Sequence, residues 1–316
     1  MKIRDEEILS QLATAAATFN EGFKEREYPE VQLAKFMSIT SKKGENVDEI
    51  EYGETDGTQD LDNGLIDENT TSLETEDVYI NAKKAPCLVW AKGAIYTTEA
   101  VARAARLDIN LDDAKLRNLE RVALLTMQKT ALIGHAKVKR VTGLLTNGAV
   151  KKQDFTGGSN KALSAMTGVE ARDFFLKLID LGYERNGGLV VPDTIAVDSR
   201  DLMGLAGKYD DTIGGGKIAV NVLANIKEAI KESAGVDVDI VGIPLGFARD
   251  LAGKGKNRAA VYTNAEDVVS TDWAMHPQAF PPFQRSVLSW EIAIKAKFTG
   301  CLIRSLDKIF YADYKA

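Results

Sequence analysis

From Gly44 to Ala82 the chain carries 13 acidic residues and no lysine or arginine. Such a density of one sign disfavours collapse of the segment onto itself, because each added carboxylate repels the others. The segment contains Gly53, Gly57 and Gly64 and few large apolar side chains, but its ends carry strand formers: Ile50 and Tyr52 on one side, Val78, Tyr79 and Ile80 on the other. Two readings fit. One is a disordered acidic linker. The other is a long hairpin that leaves the body and lies on a neighbour. Like charges on facing strands repel, so that hairpin needs basic surface beside it. Composition leaves both open.

The remainder of the chain has the opposite sign. The whole sequence has 46 acids and 40 bases, so outside the segment 33 acids meet 40 bases, a surplus of seven positive charges. A net charge of −6 argues against a general nucleic-acid binder, which needs basic surface to displace counterions from phosphate. At 316 residues and 45% hydrophobic content the body can bury a sizeable core. Two cysteines, Cys87 and Cys301, make no disulfide framework. No apolar run of about 18 residues spans a membrane, and the start, MKIRDEEILSQL, lacks an apolar signal region. The expectation is synthesis in a reducing cytoplasm.

The pattern of elements predicts an α+β fold. A helix is expected over residues 5–26, ended by Pro29, and a strand over 31–40. Residues 86–107 read as a strand and a short helix. Asn110 is a candidate N-cap for a long helix from Leu111 to about Arg140, with Leu116, Leu119, Ala123, Met127 and Ala131 as its apolar stripe and Gly143 as its stop. At about 1.5 Å per residue it would reach roughly 45 Å and form the spine of the fold. Thr167 and Glu170 spell a capping box for a helix to Tyr183, with Phe174, Phe175, Leu178 and Ile179 inward. A strand over 189–197, a short helix capped by Ser199, a helix over 221–233 and strands near 236–243 and 259–263 follow. Residues 290–298 alternate apolar and polar, a long half-buried strand. After Gly300, CLIRSL and KIFYADY read as a last pair of strands.

The search for catalysis returns little. His135 and His276 stand apart in sequence, and no zinc, thiol-redox or nucleophile-elbow motif occurs. Gly214-Gly215-Gly216-Lys217 is followed by Ile218, where a phosphate loop needs a hydroxyl. The GKGKNR stretch (253–258) reads as a solvated basic turn. Aligning Gly64 as a calcium-loop glycine puts Thr70 where a bidentate glutamate is required. No enzyme, metal site or cofactor is expected.

The order of parts resembles the Hong Kong-type capsid fold shared by major capsid proteins of tailed phages and by encapsulin shells. The residues that carry the resemblance are LVWAKGAIYTTEAVARAARL (88–107), LDDAKLRNLERVALLTMQKTALIGH (111–135), GLLTNGAV (143–150) and SVLSWEIAIKAKFTGCLIRSLDKIFYADY (286–314). The resemblance implies an N-terminal arm over 1–43 and an extended acidic loop over 44–85. It implies a peripheral domain over 86–150 with a spine helix at 111–140, an axial domain over 151–271, and a return to the peripheral domain over 272–316.

The implied function is a viral head shell, icosahedral or prolate, self-assembled from pentamers and hexamers in the host cytoplasm around loosely held double-stranded DNA. Scaffolding, portal and decoration proteins are possible partners, and a membrane is not. The inter-subunit residues implied are Glu49, Glu51, Glu54, Asp56, Asp60, Asp62, Asp67, Glu68, Glu74, Glu76 and Asp77. Nothing marks a crosslinking Lys–Asn pair; Lys42, Lys43 and Asn147 read as ordinary surface residues. An encapsulin compartment shell and a soluble α+β enzyme with an acidic lid are the alternative readings.

Overall fold

The computed structural model describes residues 32–41, 46–57, 78–106, 111–155, 161–210 and 219–316. The helix expected over 5–26, the Asn110 cap and the Gly214–Gly216 loop lie outside them. The elements run β1 (Ser38–Thr40), β2 (Glu49–Gly57), β3 (Val78–Pro86), β4 (Leu88–Thr97), α1 (Thr98–Arg106) and α2 (Leu111–Ile133). Next come β5 (Lys152–Asp154), α3 (Gly168–Arg185), β6 (Thr194–Asp198), α4 (Ser199–Ala206), β7 (Tyr209–Asp210), β8 (Val220–Asn221), α5 (Val222–Ala234) and β9 (Asp239–Ile243). The chain closes with β10 (Lys256–Tyr262), β11 (Val269–Asp272), β12 (Met275–Ala279), β13 (Phe283–Ser286), β14 (Ser289–Phe298), β15 (Leu302–Ile303) and β16 (Ile309–Lys315).

A five-stranded mixed sheet, ordered β5-β16-β10-β6-β9, is covered on both faces. Successive side chains of a strand point to opposite faces, and here each set enters a different core. Ile195, Val197, Val261, Phe310 and Ala312 pack with Phe175, Leu178, Ile226 and Ile230 of α3 and α5. Ala196, Ala260, Tyr262, Ile309 and Tyr311 pack instead with Phe36, Met37, Met127, Leu132 and Leu144. Hence β6 is buried at every position and shows no polar alternation. Two tyrosines bring polar tips into the second core and satisfy them. Tyr262 donates to the Phe36 carbonyl at 2.6 Å, and Tyr311 to that of Leu144 at 2.6 Å. Buried Arg258 makes a bidentate pair with Asp313 at 2.7 and 2.9 Å and donates to the Leu145 carbonyl.

The spine helix ends earlier than expected. It stops at Ile133, because Gly134 takes a left-handed φ of 74° and donates to Thr130. Its 23 residues span about 35 Å. The last-turn carbonyls, which a helix leaves orphaned, are met by the returning chain. Leu144 and Leu145 donate their N–H groups to Ala131 and Leu132 at 2.8 and 2.9 Å, and the Thr146 hydroxyl donates to Ile133. This return needs a glycine at 143, where a Cβ would lie 2.4 Å from the backbone nitrogens of Ile133 and Gly134. Along the helix, Leu119 joins Tyr96, Ile292 and Ile294, while Met127, Ala131 and Leu132 enter the main core.

β14 is the centre of the second large sheet. It pairs with β4 along ten residues and with β12 and β13 on its other side. Its apolar positions Ile292, Ile294, Ala296 and Phe298 are buried as the alternation predicts. Lys297 departs from the expected wet face: it is 6% exposed and reaches Asp48 at 3.0 Å.

The remaining differences are local. Residues 33–35 form a 3₁₀ turn before the short β1, and β1 pairs in parallel with β11. Asp198 caps α4 in place of Ser199, accepting from Arg200 at 2.9 Å. The two closing strands do not pair with each other, since β15 joins β1 and β11 whereas β16 lies between β5 and β10. The capping box at Thr167 and Glu170 forms as expected.

Gly143→Ala should destabilise the unassembled subunit by about 2–4 kcal/mol, since backbone must move to admit the methyl; denaturant unfolding checks this. Leu119→Asp should leave no folded subunit by circular dichroism, because a carboxylate would be buried among Tyr96, Ile292 and Ile294.

Candidate assembly surface

The acidic segment begins as a hairpin. β2 and β3 pair antiparallel over nine positions, from Glu49↔Pro86 to Gly57↔Val78. The register deals with the expected like-charge repulsion. Glu51 faces Lys84, Glu54 faces Asn81 and Asp56 faces Tyr79, so no acid opposes another acid in the ladder. Glu51 and Lys84 make an exposed ion pair at 3.3 Å, worth at most about 1 kcal/mol. Among the described residues this ribbon pairs with no other strand, and an isolated two-stranded ribbon is at best marginally stable in water.

Its base is held to the body. Buried Lys297 reaches Asp48, Arg140 donates to Glu49 at 3.1 Å, and Ile50 is 3% exposed. Tyr52 is half-buried, and loss of water pushes its phenol above the ordinary range. The Cys87 N–H donates to the Asp48 carbonyl at 2.8 Å. Cys87 also joins β3 directly to β4, so the arm and the body sheet share one nearly continuous strand.

The expected inter-subunit residues fall into three groups. Glu49 and Glu51 sit at the base and pair within the chain, with Arg140 and Lys84. Glu54 and Asp56 lie on β2 farther out. Asp60, Asp62, Asp67, Glu68, Glu74, Glu76 and Asp77 fall outside the described residues. Residues that sequence reasoning missed are Lys297 and Arg140, which anchor the arm. Lys297 was hidden by its place in a regular alternation.

Reactive chemistry is sparse. Among the described residues no group of three His, Cys, Asp or Glu side chains could hold a metal, and no helix is long and apolar enough to cross a membrane. Burial raises the Cys301 thiol well above its ordinary range, and burial is also the main cause of the rise at Cys87, with Lys297 opposing it. His276 stacks edge-on against Trp273.

The structure superposes on the capsid of a Myoviridae phage XM1 with a TM-score of 0.74 and 11% identity, covering 96% of this chain and 98% of that one. The capsid of a native GTA particle gives 0.65 at 13% identity, with 95% of each chain covered. A chain from Mycobacterium phage Bobi gives 0.57 at 10% identity over the full length of both. No curated protein sequence matches the chain. The fold is that of phage capsid shells. The family model described as major capsid protein matches residues 62–314, and the chain belongs to the major capsid protein family. Its role is structural, in the shell of a virion.

With its thiol pKa raised, Cys87 should react with iodoacetamide at pH 7.5 at least several-fold more slowly than a free thiol, followed by mass spectrometry. Alkylation at the free-thiol rate would show that the arm base opens in solution.

Proposed function

We propose that residues 44–85 form an arm by which each subunit grips another, and that subunits joined this way gather as pentamers and hexamers into an icosahedral or prolate head enclosing double-stranded DNA. The observation that carries the reading is the β2–β3 ribbon, anchored to the body at its base and, among the described residues, paired with no other strand. Such a ribbon, leading into a run of carboxylates, finds its missing stabilisation on basic surface elsewhere. The seven-charge surplus of the body supplies that surface in every copy.

A head-to-tail contact of this kind uses two different patches, so it propagates from copy to copy until the shell closes. Ordering the arm costs entropy on docking. A single contact is therefore weak, and subunits stay dispersed until several contacts form together. In this reading residues 1–43 are a second arm, 86–150 with 272–316 the peripheral domain, and 151–271 the axial domain. The strand β16 ties the last two together by pairing with β10. Scaffolding, portal and decoration proteins are proposed partners of the assembled head. Net acidity suits a container that releases its genome.

Replacing residues 58–77 with a short Gly-Ser turn should leave a folded body with the unfolding midpoint of the parent, while stable shells disappear from sedimentation profiles and negative-stain fields. Intact shells from this variant would remove the arm from the assembly mechanism. Raising salt from about 0.05 M to 1 M, where the Debye length is about 3 Å, should slow assembly. Rates indifferent to salt would rule out charge as the steering force.

A further inference from the structure

We propose that the receptor for the acidic arm is the cavity at the C-terminal end of the spine helix, and that its occupant is segment 58–77 of a second copy of this chain. The inference rests on the reading of that segment as an inter-subunit arm. The cavity is about 590 Å³ and is lined by Lys129, Thr130, His135, Lys137, Lys139 and Thr146, among others. Among the described residues no aspartate or glutamate lines it. Lys129, Lys137 and Lys139 are exposed, and among the described residues none of the three has an ion-pair or hydrogen-bond partner. The Nδ1 atom of His135 is buried without a hydrogen-bond partner.

Lysines at a helix C-terminus ordinarily complement the orphan carbonyls and the macrodipole. Here the N–H groups of Leu144 and Leu145 and the Thr146 hydroxyl already meet those carbonyls. Among the described residues the cations are left without a local task. Their counterpart in the sequence is segment 58–77, with seven carboxylates and no lysine or arginine.

Geometry favours a second copy over the same chain. Arg140, next to Lys139 at the cavity, holds Glu49 at the base of the chain's own arm. The ladder then runs eight residues outward to Gly57, about 27 Å along the strand. Each copy thus presents a basic cavity where its arm begins, and the described part of the arm leads away from that root. One copy's arm end and another's arm root make a repeating head-to-tail pair.

The direct test is zero-length carbodiimide coupling in shells assembled from an equal mixture of light and 15N-labelled subunits. Mixed-isotope amide crosslinks should join Asp60–Asp77 to Lys129, Lys137 or Lys139. Crosslinks from the segment to other lysines, or only within one isotope, would overturn the assignment.

A charge-reversal series gives an independent readout. K129E/K137E/K139E should raise the concentration needed for assembly about tenfold or more without altering the unfolding midpoint, since the three lysines are exposed. Adding D60K/D62K/D67K/E68K to the same chain should restore assembly. If the lysine variant assembles normally while the 58–77 replacement does not, the arm reading stands and this receptor is wrong. If both assemble normally, the arm reading falls as well. If the lysine variant assembles normally but retains less DNA, the cavity serves the genome, and the proposal is overturned.

Discussion

The fold depends on one sheet having no face left for water. In β6, β10 and β16 alternate residues enter separate cores, one built with α3 and α5, the other with the end of the spine helix and the chain around Phe36 and Met37. The strand that completes this sheet is the last in the chain. β16 lies between β5 and β10, so the core closes only when that strand is in place. Its polar tips are also spoken for. Tyr314 donates to buried Asp201 at 2.8 Å and Asp313 clamps Arg258, so neither core is left with an unmet group on this strand.

That closed body gives the acidic ribbon a rigid root. Strand β3 passes through Cys87 into β4, and β4 pairs along its whole length with β14. A load on the arm is therefore carried into the long sheet and, through Tyr96, Ile292 and Leu119, into the spine helix. The ionic anchors at the root are modest in strength. Lys297 is buried but its partner Asp48 is exposed, and both Arg140 and Glu49 are solvated, so the ion pairs fix the direction of the ribbon more than they stabilise it. Buried Ile50 supplies the apolar part of the anchor.

The parts legible in the sequence were those whose signal is local. The Thr167–Glu170 box needs only four residues, and the apolar stripe from Leu119 to Ala131 repeats within one helix. The alternation of β14 reflects a single sheet face. Where distant chain decides the outcome, the reading failed. Sequence alone puts the end of the spine helix near Arg140, with Gly143 as its stop; the turn at Gly134 is instead imposed by the return of 143–146 onto the last turn. The strands at 302–303 and 309–315 looked like a pair because they adjoin in sequence, but each finds its partner elsewhere. Lys297 looked like a wet-face residue until Asp48, far away in sequence, covered it. Of the acidic site, the sequence showed the charge and the hairpin ends, but not the register that keeps acid from facing acid.

The central claim is that the acidic segment is completed by another molecule. An electron cryomicroscopy reconstruction of assembled shells, at a resolution that traces side chains, tests it most directly. Completion by a second copy requires continuous density for residues 58–77 across a subunit boundary, with carboxylates beside Lys129, Lys137 and Lys139 of the adjoining copy. Density folding those residues back onto their own subunit, with the boundary uncrossed, would contradict it.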